Sequence, residues 1–178
     1  MQMNKKVKIV IDSDVIIHFI KGEELPILHQ IFPQYQYVIL DIVVNQELNK
    51  NFQTRQYLER YTQSFKGNIS IIKWSPTLEM TKEFAFLRNK YGLGESASMV
   101  YCKYNQDVIA SSNITEITDY CNKNDIQYVT TMDLLYRAFK NSILTEIECD
   151  EFITKVISGG SKLPVTKISQ FRPRELYL

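Results

Sequence analysis

Neither sign of charge dominates this chain: 21 lysines and arginines stand against 20 acids, a formal net charge of +1. That balance excludes a global field that would draw in nucleic acid, so any polyanion has to be held by a local patch. Cysteine is scarce as well. Cys102, Cys121 and Cys149 are odd in number, far apart and without a C-x-x-C spacing, which argues against a disulfide framework and a zinc site and fits a reducing cytoplasm. No apolar run comes near the roughly 20 residues of a membrane span. No N-terminal stretch has the apolar h-region and small-residue cleavage site of a signal peptide. A cytoplasmic protein with no membrane partner is therefore the expectation. Internal repeats and low-complexity runs are also missing, and 178 residues with 44% hydrophobic content are expected to make one domain.

What the chain does have is five short strand candidates. They are "VKIVI" from Val7, "YQYVIL" (35–40), "ISIIKW" (69–74), "DVIAS" (107–111) and "IQYVT" (126–130). Between them lie segments of helical periodicity. "SPTLEMTKEFAFLRNKYGLG" offers Ser75 as N-cap and Pro76 as first helical residue. Its Leu78, Phe84, Leu87 and Tyr91 form a stripe for burial, and Gly92 or Gly94 ends it. A second helix over 95–104 stacks Ala97, Val100, Tyr101 and Tyr104, with both tyrosines read as core. Strands alternating with helices predict a parallel sheet covered on both faces. "SGGSKLP" (158–164) is the clear linker, and Lys162, Lys167, Arg172 and Arg174 make a basic tail beyond it. Such a tail can neutralise phosphates or simply be solvated.

The acids fall where strands end. Open α/β sheets bind ligands outside the carboxyl ends of their strands. Asp12 and Asp14 follow the first strand directly, although Ser13 and Asp14 are also natural helix N-caps worth roughly 1 kcal/mol. Asp41 can cap a helix "IVVNQELNK" that faces the core with Val44 and Leu48 and carries Glu47 beside that stripe. Glu95 opens the next helix on a face that need not be buried. After "DVIAS" come Ser112, Asn113 and the helix "ITEITDYCNK", packed through Ile114 and Ile117. "NITE" reads equally as a capping box in which Asn113 holds backbone donors and Glu116 reaches back. His18 reads as a packed histidine, and Asp133 as a cap of the helix "TTMDLL". Three gathered carboxylates raise one another's pKa unless a cation compensates. Oxygen ligands with no His or Cys point to Mg²⁺ or Mn²⁺, and the chemistry implied is hydrolysis of a phosphate ester.

These blocks together resemble the PIN-domain nucleases. "KIVIDSDVIIHF" looks like that family's opening strand and acid turn, and "YVILDIVVNQELNK" is similar to its second block. "YGLGESASMVYC" looks like a Gly-Glu-Ala block, and "DVIASSNITEITDYCNKNDIQYVTTMDLLYRAF" resembles the segment that closes the fold. The likeness spans 7–139. It implies a three-layer α/β/α fold, with a five-stranded parallel sheet in the order 3-2-1-4-5, and places 140–178 as a helical extension and basic tail of one PIN-like domain. It also implies a Mg²⁺- or Mn²⁺-dependent endoribonuclease that leaves 5′-phosphate and 3′-hydroxyl ends. The family's first three acids map onto Asp12, Glu47 and Glu95, which would hold metal. The fourth position falls on Asn113, an oxygen without charge, and there the sequence departs from the pattern. Ser13, Asp14, Ser112 and Glu116 are secondary candidates. An RNA substrate, a small antitoxin partner in a toxin–antitoxin pair and a homodimer are partners the likeness suggests.

Two other functions stay open. A PIN domain that has lost a ligand at Asn113 can persist as a protein- or RNA-binding module. "VIDSDVII" also nearly matches the D-x-D opening of haloacid dehalogenase-like phosphatases, with Asp12 as nucleophile. That mechanism needs a later Gly-Asp or Asp-Asp pair, and the chain contains neither.

Overall fold

The computed structural model describes residues 6–64, 68–176 and 178. The five apolar runs become β1 (Lys8–Ile11), β2 (Gln36–Leu40), β3 (Ile69–Ile72), β4 (Val108–Ala110) and β5 (Tyr128–Val129). All pair in parallel, in the order β3-β2-β1-β4-β5. The fold class and strand order expected from the sequence are those observed. Ile9, Val10, Ile11, Val38, Ile39 and Leu40 are fully buried, as a sheet covered on both faces requires.

The helices are α1 (Ser13–Lys21), α2 (Leu28–Ile31), α3 (Asp41–Gln46), α4 (Phe52–Ser64) and α5 (Leu78–Leu87), followed by α6 (Leu93–Asn105), α7 (Ile114–Lys123), α8 (Thr131–Lys140) and α9 (Glu146–Ser158). They form two groups: α1, α2, α8 and α9 pack among themselves, as do α3, α5, α6 and α7. Between them the sheet reverses winding direction at β1 and β4, whose carboxyl ends lie side by side. Ile11 pairs with Ala110, and the Asp12 amide donates to the Ala110 carbonyl at 2.9 Å. A crevice opens at such a switch point.

Several local expectations are corrected. Thr77, not Ser75, caps α5, its hydroxyl accepting from the Met80 amide at 3.3 Å. Starting later turns the helix, so Met80 is buried and Leu78 is 68% exposed. The helix also stops at Leu87, ahead of both glycines. Asp41 is the first residue of α3 rather than its cap, and its carboxylate accepts from the Trp74 amide at 2.8 Å. That helix breaks after Gln46, leaving Glu47 between it and a 3-10 turn at Leu48–Lys50. Val43 takes the fully buried place assigned to Val44, while Leu48 is buried as expected. Tyr104 and Ile114 are exposed, and Ile117 alone of its pair is buried.

The extension beyond residue 140 folds onto the rest. Thr145 and Glu148 form a capping box that starts α9, and Cys149, Phe152, Ile153 and Val156 are buried. The Phe152 ring meets Phe19 of α1 edge-on, centroids 5.1 Å apart. Gly22 makes this approach possible, since a Cβ there would fall 2.2 Å from the Phe152 ring. Further on, Arg174 lies 3.8 Å above the Tyr128 ring centroid and binds the Asp133 carboxylate at 3.0 Å. Asp133 also closes the capping box of α8 with Thr130, the role read for it in the sequence.

Candidate active site

Side chains from five separate stretches line one cleft of about 450 Å³ at the carboxyl end of the sheet: Asp12 to Asp14, Glu47, Glu95, the group Ser112, Asn113 and Glu116, and Lys162. Asp12 leaves β1 as the N-cap of α1, in place of Ser13 or Asp14, and accepts from the Ser13 amide at 2.9 Å. It is 4% exposed. Burial first, then the neighbouring carboxylates of Asp14 and Glu47, hold its carboxyl well above the usual carboxylate range.

Glu47 is half-buried and held by two donors. One of its oxygens accepts from the Gly94 amide at 3.0 Å, and the other from the Ser13 hydroxyl. Ser13 is thus a support for Glu47, not a cap. Gly94 lets α6 come this close, because a Cβ there would meet the Glu47 carboxylate at 2.4 Å. The break after Gln46 serves the same end: leaving the helix turns Glu47 towards α1 and α6.

Glu95 differs most from expectation, being only 6% exposed. A single apolar stripe cannot describe α6, whose residues from Gly94 to Val100 are all buried. Helices α3, α5 and α7 crowd around it, and the glutamate faces the cleft. Its carboxyl is pushed up to about 9, by burial first, then by a hydrogen bond with Glu116 and the charge of Asp12. Its Oε1 is buried with no hydrogen-bond partner among the described residues.

The secondary candidates divide. Asp14 is occupied by the Val15 amide at 2.6 Å and the Ser112 amide at 2.7 Å. It therefore clamps the β4–α7 turn to α1. Its carboxyl is raised to about 6, chiefly by burial. Ser112 belongs to a short polar chain in which its hydroxyl donates to Thr131 Oγ1 at 2.8 Å, and Thr131 Oγ1 lies 2.8 Å from His18 Nδ1. The capping box read into "NITE" does not form. Asn113 is the N-cap of α7 but makes no side-chain cap bond, and Glu116 turns into the cleft.

Sequence reasoning gave His18, Ser111 and Gly94 no part in the site. His18 is packed as expected, yet it lines the cleft; burial, then Lys21, lower its pKa to about 4, so it is neutral at pH 7. The Ser111 hydroxyl bonds to Asp12 and lies 3.5 Å from Asp14. Gly94 was visible in "GLGE", but its partner lies 47 residues away.

The suitability of these residues for a divalent cation rests on the donor set and on one stranded atom. Every charged donor is a carboxylate, the hard-oxygen chemistry that Mg²⁺ and Mn²⁺ prefer. A buried carboxylate oxygen without a partner is costly unless something binds it. Among the described residues, however, no three His, Cys, Asp or Glu side chains form a ready-made cage. Both Glu47 oxygens are engaged by hydrogen-bond donors. Comparison of the chain with family models and with curated proteins finds no match.

Proposed function

We propose that this protein is a metal-dependent ribonuclease that hydrolyses RNA phosphodiester bonds, and that Asp12, Glu47 and Glu95 hold its Mg²⁺ or Mn²⁺. The observation that carries this reading is the meeting of three acids, far apart in sequence, in one cleft at the switch point of the sheet. Two of them are nearly buried with strongly raised carboxyls. A scaffold has no use for such mutual repulsion, whereas a cation-binding site depends on it. A bound divalent cation supplies charge to offset that building on the phosphoryl oxygens and acidifies an attacking water.

The chain's own residues do the rest. Gly94 and Ser13 orient Glu47, and Asp14 fixes the turn carrying Ser112 and Asn113. Lys162 also lines the cleft, and it can take a substrate phosphate there. His18 does not serve as a general acid at neutral pH, because its ring is then the neutral imidazole and lacks the acidic proton of the imidazolium. RNA as substrate, 5′-phosphate and 3′-hydroxyl products, a small antitoxin partner and a homodimer rest on the resemblance to PIN-domain nucleases.

The test is Mn²⁺-dependent cleavage of single-stranded RNA by the wild type and by Asp12→Asn. A fall of at least about 100-fold is expected, the scale of losing one preorganised electrostatic group. Equal rates would remove Asp12 from the reaction. Absence of both cleavage and Mn²⁺ uptake in the wild type would favour a binding module instead.

A further inference from the structure

We propose, building on that reading, that Glu116 completes the cation-binding set and takes the part that Asn113 leaves empty. The two residues are three apart at the start of α7. One helical turn returns to nearly the same face, about 4.5 Å further along the axis. A glutamate is one methylene longer than an aspartate, so its carboxylate can reach back to the spot an acid at position 113 would occupy. The Asn113 side chain is turned to local work: its Oδ1 lies 3.5 Å from the Thr115 hydroxyl, while its backbone N–H donates to the Ser111 hydroxyl at 3.3 Å.

The orientation of Glu116 carries the argument. At the third position of α7 it is placed to reach back to the Asn113 amide, as Glu148 reaches back to Thr145 in α9. A capping arrangement would satisfy it at no electrostatic cost. Instead it lines the acid cleft and its carboxyl is bonded to that of Glu95. Two ionised carboxylates repel, so without metal a shared proton holds the pair, and that is the place a cation would take. On the other side of the same pair, Glu95 Oε1 is buried and unpartnered among the described residues. Glu95 and Glu116, with Asp12 in the same cleft, are the residues that would hold a divalent cation there.

The experiment is calorimetric titration of the full chain with Mn²⁺ alone, comparing wild type, Glu116→Gln, Asn113→Ala and Asp12→Asn, alongside thermal melting without metal. Glu116→Gln should lose about 10- to 100-fold in affinity, the range for removal of a group that holds or supports a metal site. Asn113→Ala should bind like the wild type. Because glutamine still donates a hydrogen bond to Glu95 and removes one crowded charge, metal-free Glu116→Gln should melt no lower than the wild type. A support for the fold would show the opposite pattern, with stability lost and affinity kept. Wild-type affinity in Glu116→Gln, with affinity lost in Asp12→Asn, overturns the role of Glu116 and leaves the nuclease reading intact. A wild type that takes up no Mn²⁺ overturns both. Should Glu116→Gln fail to fold, Glu116→Asp decides: reduced affinity supports the assignment, and unchanged affinity overturns it.

Discussion

At the scale of single residues, the cleft depends on contacts that set where a carboxylate points. Gly94 is the sharpest case. Its missing side chain leaves room for Glu47, and its amide holds one Glu47 oxygen. Gly94→Ala should drive Glu47 out of position and lower Mn²⁺-dependent cleavage by about 10- to 100-fold, while circular dichroism stays that of the wild type. Retention of full activity would show that the Glu47 position is not needed. The acids themselves were legible in the sequence because they follow apolar strands at places a parallel sheet brings together. What the sequence hid was how each is held. The three residues of "DSD" look alike in one dimension, yet Asp12 faces the cleft, Ser13 serves Glu47 and Asp14 clamps a turn. Such differences arise from partners 34 and 98 residues away, which local pattern does not record.

Among the elements, the strands were readable because runs of Val and Ile leave few alternatives, whereas helix limits were not. Thr77 displaced Ser75 as a cap, and α3 stopped at Gln46, with Glu47 beyond it held by the Gly94 amide and the Ser13 hydroxyl. The burial of Glu95 was hidden for a related reason: a helix enclosed by three others has no polar face. Helix α9 belongs to the core it covers, through Phe152 against Phe19. Phe152→Ala should cost about 3–5 kcal/mol, the usual range for a large aromatic removed from a core, as read by urea denaturation. A loss below about 1 kcal/mol, the level of a surface substitution, would mean that α9 docks without supporting α1.

For the whole molecule, the buried acids tie stability to pH. Glu95 is pushed up to about 9 in the fold, and Asp12 is raised as well. Unfolded, a glutamate ionises at about pH 4.3, so from pH 7 to 9 it is the folded protein that releases the Glu95 proton. The folded state then binds more protons than the unfolded one, and stability must fall as pH rises through this window. Without metal, the melting temperature should drop between pH 7 and 9 by on the order of 5 °C, since 1 kcal/mol moves it by about 2–4 °C at this size. Millimolar Mn²⁺ should restore it, and a flat profile would show that the acids are not under strain. Towards acid the lowered pKa of His18 works the other way: stability present above about 6.5 is lost as pH falls towards 4. The interlock of Gly22 with Phe152 bears on the order in which the protein is made. The helix that carries Asp12, Ser13 and Asp14 emerges early from the ribosome, but its outer side is closed only after Phe152 has been synthesised. A nascent chain of this protein therefore holds no finished cleft until α9 arrives.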